Sequence, residues 1–465
     1  MPELEFFLKK LKNALQLPAP TAQAPLAELL SLDPQKHHIP RLQAELQNVT
    51  SEKLSDDIDA LKLFDNGWPG LEQAVLTYLV FVRDFNPWST LDSIDLMIKY
   101  FSDLAVAMGN IEFSKYLLST LAQTTAMIVP LTKTVDLKLM LVNKRKMDFP
   151  RLSHVSGILL KAMNNLRADT DIALPSHRDK QTLLILLSAK LCSTYFFIGS
   201  PMLCNNIFSN ISTLKLNSSY IPRAQLLRYR FLVGKYHFTQ SSMLNAFHHF
   251  SWCLENCHTN ASPAIFVTLL KYLIPCGILV GRILNMEFLK KLNQFKLNGL
   301  GHELIVLYEP LIRHFRNGDI YNFTILLKKN ESFFRKTGIL LPLIQRSRIL
   351  LLRNLTLKVY RLNPGKTIAM AKINVALNLS LQPEQAARNF GAGYSYYMYD
   401  ADGGVDDSFV ENVLVALTDQ NLVKGKVAPV SKSVVVAKTD TFPNVYELYK
   451  VKYPLDPKDG WLDSK

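Results

Sequence analysis

The sequence predicts a mostly α-helical chain, a superhelix of stacked helix pairs capped by a C-terminal winged helix. Three observations carry this. Apolar residues recur at three and four spacing from about residue 61 to 300, as in Met243, Phe247, Phe250 and Leu254. Alternating β-branched runs are scarce over the same stretch. The chain then closes on three helical segments followed by one hairpin.

Residues 1–60 carry prolines and polar runs with weak periodicity, and are expected to be a variable, partly ordered lead-in. The first twenty, MPELEFFLKKLKNALQLPAP, read as a short amphipathic helix and a Pro/Ala spacer. Acids come first and lysines interrupt the apolar positions, unlike a secretory leader. No window offers about 18 uninterrupted apolar residues. The nearest, LLKYLIPCGILVGRILNM, contains Lys271, Pro275 and Arg282 and reads as buried helix. No membrane span is expected, and the cytoplasm or nucleus is.

Residues 61–221 are expected to be helical repeats. GSP (199–201), NSS (217–219) and TNASP (259–263) punctuate the helical stretch. The segment YRFLVGKYHFTQSSMLNAFHHFSWCLEN resembles the tetratricopeptide pattern, in which small residues admit close helix approach and aromatics fill the gap. Gly234 and Tyr236 lie on its first helix, Ala246 and Phe250 on its second. Glycine stands two residues before tyrosine rather than three, and no period of about 34 residues repeats, so the organisation is TPR-like.

Residues 301–361 hold eleven Lys/Arg against four acids, half of the net charge of +14. Gly318-Asp319 reads as a turn between helices, and Pro342 as the opening of a long helix. After Asn363-Pro364-Gly365 comes IAMAKINVALNLSL, then a loop rich in tyrosine and aspartate. Ser408, with Glu411 three residues on, suggests a capping box for a helix ending near Asn421. LVKGKVAP and SKSVVVAK read as two strands around a turn at Pro429.

Motifs for chemistry are weak. NPGKT (363–367) lacks the glycine a phosphate loop needs, since Tyr360 stands there. DADGGVDDSFVE (400–411) puts Asp400, Asp402, Asp406 and Glu411 at positions 1, 3, 7 and 12 of a calcium loop. Gly404 and Val405, however, occupy positions 5 and 6, so a polar connecting loop is expected. In HHFSWCLENCH, His249, Cys253 and Cys257 could share a helix face, yet no second cluster closes a zinc site. Five scattered cysteines do not make a disulfide framework. No nucleophile stands with its base in a known motif, so no catalytic group, metal or cofactor is expected.

The net charge of +14 and pI near 9.3 favour an acidic partner: nucleic acid, an acidic protein or an anionic membrane surface. The last helix of the terminal unit, SFVENVLVALTDQN, is acidic and apolar, which disfavours base reading by it. The cations lie beyond it on the hairpin, at Lys424, Lys426, Lys432 and Lys438. They serve either as phosphate contacts or as protection for a sheet edge.

Helical repeats running into a winged helix resemble the PCI module of proteasome-lid, COP9-signalosome and initiation-factor scaffolds. VRDFNPWSTLDSIDL (82–96), SPMLCNNIFSNI (200–211), YRFLVGKYHFTQSSMLNAFHHF (229–250), LKYLIPCGILVGR (270–282) and ENVLVALTDQNLVKGKV (411–427) are similar, in order, to blocks of that family. Within it they most resemble the fungal PCI subunits of the second TREX (transcription and mRNA export) complex, which are related to COP9-associated PCI proteins and PCI-domain-containing protein 2. The resemblance covers about residues 75–440. It implies a PCI domain over 222–441, helical to about 341 and winged-helix over 342–441, with a tail over 442–465. It also implies a non-catalytic subunit at nuclear pores that pairs with a larger scaffold bearing a PCI-like module. A very small acidic subunit shared with the proteasome lid would bind it, and the paired winged helices would present a basic platform to RNA or DNA. Lys424, Lys426 and Lys432 then fall on the wing, and Arg346, Arg348 and Arg353 on the first winged-helix helix. The alternative is a signalosome- or lid-type interaction scaffold without nucleic acid.

Overall fold

A computed structural model describes residues 3–61, 63–143, 149–169, 171–214, 216–382, 388 and 405–463. Two compact units are present, one of residues 1–232 with 458–465 and one of 233–457.

In the first unit, α1 (Glu3–Leu15), α2 (Ala19–Leu29), α3 (His38–Leu46) and α4 (Ser51–Asp59) occupy the region where the sequence shows weak periodicity. Helix α1 carries the apolar stripe Leu4, Phe7, Leu8, Leu11 and Leu15, but α2, α3 and α4 are of eleven, nine and nine residues and separated by breaks, so the periodicity over the region as a whole is interrupted. Tertiary contacts order them. Tyr78 and Tyr100, on α5 (Pro69–Asp84) and α6 (Thr90–Ala107), donate their hydroxyls to the Ser31 and Leu30 carbonyls at 3.1 and 3.2 Å. Phe7 stacks on Tyr78 with centroids 5.9 Å apart. The α5–α6 pair is locked by Trp68, whose indole donates to the Ala107 carbonyl at 3.0 Å. Gly70 admits that approach, because a Cβ there would stand 3.1 Å from the Ala107 Cα.

Helix α7 (Leu118–Asn143), α8 (Pro150–Arg167), α9 (Arg178–Phe197) and α10 (Cys204–Ser212) continue the packing, and the division between units falls within α11 (Arg223–Thr239). Between α8 and α9, Lys180 and Asp169 form a buried ion pair at 2.7 Å. The chain's last described turn, Pro457–Leu462, belongs to the first unit from Lys458 onward. There Leu462 is buried, Trp461 packs on Tyr229 at 5.8 Å and Asp463 pairs with the buried Arg230.

The second unit begins with the helix pair singled out by its small residues. Gly234 lies under α12 (Met243–Asn256), where a Cβ would meet the Phe250 ring at 2.9 Å. Next come α13 (Pro263–Leu279), α14 (Met286–Phe295), α15 (His302–Asn317), α16 (Ile320–Lys329) and α17 (Glu331–Thr337). The expected Gly-Asp turn is present. Gly318 adopts φ +64°, and Asp319 caps α16 by accepting from the Asn322 N–H at 3.2 Å.

Helix α18 (Leu340–Leu362) starts two residues before Pro342, which sits in its first turn. Then follow β1 (Thr367–Ala369), α19 (Met370–Leu381), α20 (Asp407–Asp419), β2 (Gly425–Ala428), β3 (Ser433–Val436) and α21 (Val445–Lys452). The antiparallel sheet runs β1-β3-β2, with Ile368 opposite Val434 and Val427 opposite the same residue on the other side. This order, helix-strand-helix-helix-hairpin, is a winged helix, and the predominantly helical class with that terminal unit is the predicted one. Strand β1 escaped the sequence reading because three residues cannot display an alternating period. The cap of α20 is Asp406, which accepts from the Phe409 N–H at 2.7 Å, not Ser408. Both residue types cap well, so composition alone could not choose the register. Among the described residues no helix is long and apolar enough to cross a membrane.

Candidate nucleic-acid interface

The winged helix is anchored from below by hydrogen bonds local to its first and second helices. Ser380 on α19 donates to the Gly318 carbonyl at 2.6 Å and accepts from the Ile320 N–H at 2.9 Å. Asn354 on α18 donates to the Phe315 carbonyl at 3.0 Å. The hairpin is tied at its base, where the Lys424 N–H reaches the Thr441 carbonyl at 2.8 Å and the Ala437 N–H reaches the Lys424 carbonyl at 2.9 Å.

The seven predicted basic residues do not behave alike. Lys424 lies at the root of β2, with its ammonium 2.6 Å from Asp440. Lys432, in the wing turn, lies 2.6 Å from Asp407 in the first turn of α20. That contact lowers the Asp407 pKa, and the same hydrogen bond raises that of Lys432. Both lysines are exposed, so these pairs fix side-chain direction and reduce the local positive field rather than add much stability. Lys426 and Lys438 are exposed and make no ion pair among the described residues. They are the wing cations open to a phosphate.

On α18, Arg346 is exposed and Arg348 half-buried. Arg353 is 8% exposed and turned inward. Its guanidinium donates to the Pro443 carbonyl at 2.8 Å, the Phe442 carbonyl at 3.3 Å and the Asn354 Oδ1 at 3.2 Å. Burial lowers its pKa, with the Arg361 charge adding to the effect. Arg353 therefore holds the segment entering α21 onto α18. It lies two turns along α18 from Arg346 and on the same side, where both charges act on Tyr449, but it is covered by the segment entering α21 while Arg346 stays exposed, a difference visible only once that segment is placed.

The structure also collects residues absent from the sequence expectations. Helix α21 carries Tyr446, Tyr449 and Lys450, with Lys452 and Tyr453 at its end. Arg282, following α13, lies 4.8 Å from the Tyr446 ring centroid. The repeated Tyr/Lys pattern of YELYKVKY was the available signal for this group.

Lys366 of NPGKT is exposed beside β1. Asp400, Asp402 and Gly404 of the calcium-like stretch lie outside the described residues. His249 and Cys253 are buried and Cys257 half-buried, with His249 stacked on His237 at 5.6 Å.

No family model matches the chain. It is similar to nuclear mRNA export protein THP1 of Saccharomyces cerevisiae, 26% identical over 403 residues, covering 83% of this chain and 86% of that one. A PCI domain-containing protein of Schizosaccharomyces pombe is 24% identical over 453 residues, 94% of each chain. A protein CSN12 homolog of Gibberella zeae is 27% identical over 261 residues, 54% of this chain and 53% of the relative.

Proposed function

From a chain that is a relative of the PCI-domain proteins, we propose a non-catalytic scaffold subunit of a nuclear mRNA export complex. The observation that carries this reading is the match to an mRNA export protein over most of both chains, in a protein that ends in a basic winged helix. In this reading the protein pairs with a larger subunit bearing a PCI-like module and with a very small acidic subunit. It works at the nuclear periphery, at pores, where export is coupled to transcription. The winged helix and the basic helices before it supply a sequence-tolerant surface for RNA or DNA. Phosphate contacts suit such a surface because they add affinity without reading bases. Lys426 and Lys438 are the wing contacts, and Arg346 is a further exposed cation on α18. The PCI domain spans about 222–441, with the winged helix over 342–441.

The test is depletion of the protein in its own cells, followed by in-situ hybridisation for polyadenylated RNA. Nuclear accumulation is expected. An unchanged distribution contradicts the export role.

Similarity to CSN12 homologs favours a second reading, a signalosome-type interaction scaffold that binds no nucleic acid. Under it the hairpin edge pairs with another subunit, and RNA binding is absent at every salt concentration.

A further inference from the structure

The C-terminal segment entering and forming α21 is built onto α18 rather than trailing from it. Arg353 grips the Phe442 and Pro443 carbonyls, and Phe442 packs on Tyr360 at 5.5 Å. Val445 seats against Gly281, where a Cβ would come within 2.7 Å of it. This fixes one face of α21, on which Tyr446, Tyr449, Lys450 and Tyr453 follow one another at three and four spacing.

Cations surround these rings. Arg282 and Lys450 stand 4.8 and 4.6 Å from the Tyr446 centroid, and Lys452 stands 5.7 Å from that of Tyr453. Tyr449 and Tyr453 meet edge to face at 5.7 Å. Arg346 is close enough to Tyr449 for its charge to favour the phenolate, although burial prevails and pushes that pKa up to about 12. Lys450 shares Glu447 at 3.4 Å. Arg282, Arg346 and Lys452 are exposed and make no ion pair among the described residues. Tyr453 is 48% exposed. The wing differs, since two of its four lysines are already held by acids.

We propose that the α18–α21 face is a binding surface for single-stranded nucleic acid, with Arg282, Arg346 and Lys452 meeting phosphates and Tyr453 stacking on a base. The proposal rests on the nucleic-acid reading above and moves its main contact from the wing to this face. Cations interleaved with aromatic rings fit a strand whose bases are free to stack. A duplex hides those base faces, and an acidic protein segment needs only the cations. Tyr446, already flanked by two cations, orients Arg282.

The test is fluorescence anisotropy of the full chain with a labelled oligouridylate across a salt series. The variants are Arg282→Glu with Lys452→Glu, Arg346→Gln alone, Tyr453→Ala, and Lys426→Glu with Lys438→Glu. Thermal melts establish that each is folded. The double reversal on the face is expected to weaken binding at least about tenfold and to reduce the salt slope by about 1.4, the share of two single-strand phosphate contacts. Arg346→Gln lowers the slope by about half of that. Tyr453→Ala weakens binding by about 5- to 150-fold with the slope unchanged, as loss of one stacked base requires.

Loss confined to the wing variant, with the face variants binding as wild type, overturns the proposal and leaves the nucleic-acid reading intact. Charge effects without any Tyr453 effect overturn the single-strand assignment in favour of a general acidic partner. No binding by the wild type at any salt removes both the proposal and the nucleic-acid reading.

Discussion

Arg353→Ala separates a structural arginine from a ligand-binding one. The guanidinium is buried and donates to the carbonyls of Phe442 and Pro443. Truncation leaves both carbonyls without that donor and leaves a void beside the Phe442 ring, whose centroid lies 5.8 Å from the guanidinium carbon. Hydrogen bonds from a charged donor contribute about 1.5–3 kcal/mol each. Relief from burying the charge offsets part of this, so the net loss is expected to be about 3 kcal/mol. In a unit of this size that corresponds to a fall of roughly 6–12 °C in the melting transition that reports it. Hydrogen exchange should localise the effect, with amides of residues 442–453 losing protection first. At temperatures where the variant remains folded, its RNA salt slope should match wild type. An unchanged melt together with a slope lowered by about 0.7 would refute the structural assignment and return Arg353 to the phosphate contacts.

Other perturbations probe the rest of the fold. The Asp169–Lys180 pair is buried in the first unit; burial is the largest influence and raises the carboxyl pKa, but the Lys180 hydrogen bond, the Asp171 N–H and the Lys180 and His177 charges together outweigh it and the net shift is downward. A carboxylate depressed on folding adds stability above its unfolded pKa of about 4, and that share is lost as pH falls through the lower folded value. Asp169→Asn should therefore flatten stability against pH below about 4, and Lys180→Met should cost about 3 kcal/mol at neutral pH, both read by urea titration. An acid limb unchanged in Asp169→Asn counts against the pair. Gly318→Ala should destabilise the second unit by about 2–4 kcal/mol, because φ is +64° and the new Cβ would lie 2.5 Å from the Leu355 nitrogen. A denaturation midpoint within error of wild type contradicts that backbone geometry. Tyr100→Phe removes the hydroxyl donated to the Leu30 carbonyl, should cost about 1 kcal/mol, and should speed proteolysis within residues 15–40. Equal cleavage rates would show that the N-terminal helices are held by other contacts.

What the sequence showed and concealed follows from the size of the features. Helices α11 and α12 were legible because Gly234, Ala246 and Phe250 carry both a period and a size pattern. The Gly318-Asp319 turn was legible because each residue has a local role, one in the left-handed region and one as a cap. Strand β1 is too short for periodicity and exists because the Lys366 carbonyl accepts from the Val436 N–H of β3 and the Met370 N–H donates to the Lys432 carbonyl just before it. The first four helices are short and interrupted, and they are ordered by Phe7, Tyr78 and Tyr100, contacts of long sequence separation that no window contains. Among the basic residues, charge gave no hint that Lys424 and Lys432 are held by Asp440 and Asp407, or that Arg353 points inward. Those outcomes depend on which neighbours the hairpin and α21 bring near. The tyrosines of α21 were visible as a pattern, but their meaning depends on Arg282 and Arg346, more than 90 residues away in the chain.

The central claim, membership of an mRNA export scaffold, is tested most directly by the company the protein keeps. Affinity purification of the tagged full chain from its own cells, with the co-purifying subunits identified by mass spectrometry, should recover a larger scaffold with a PCI-like module and a very small acidic protein in near-equal amounts. Recovery of signalosome or proteasome-lid subunits without an export scaffold would contradict it.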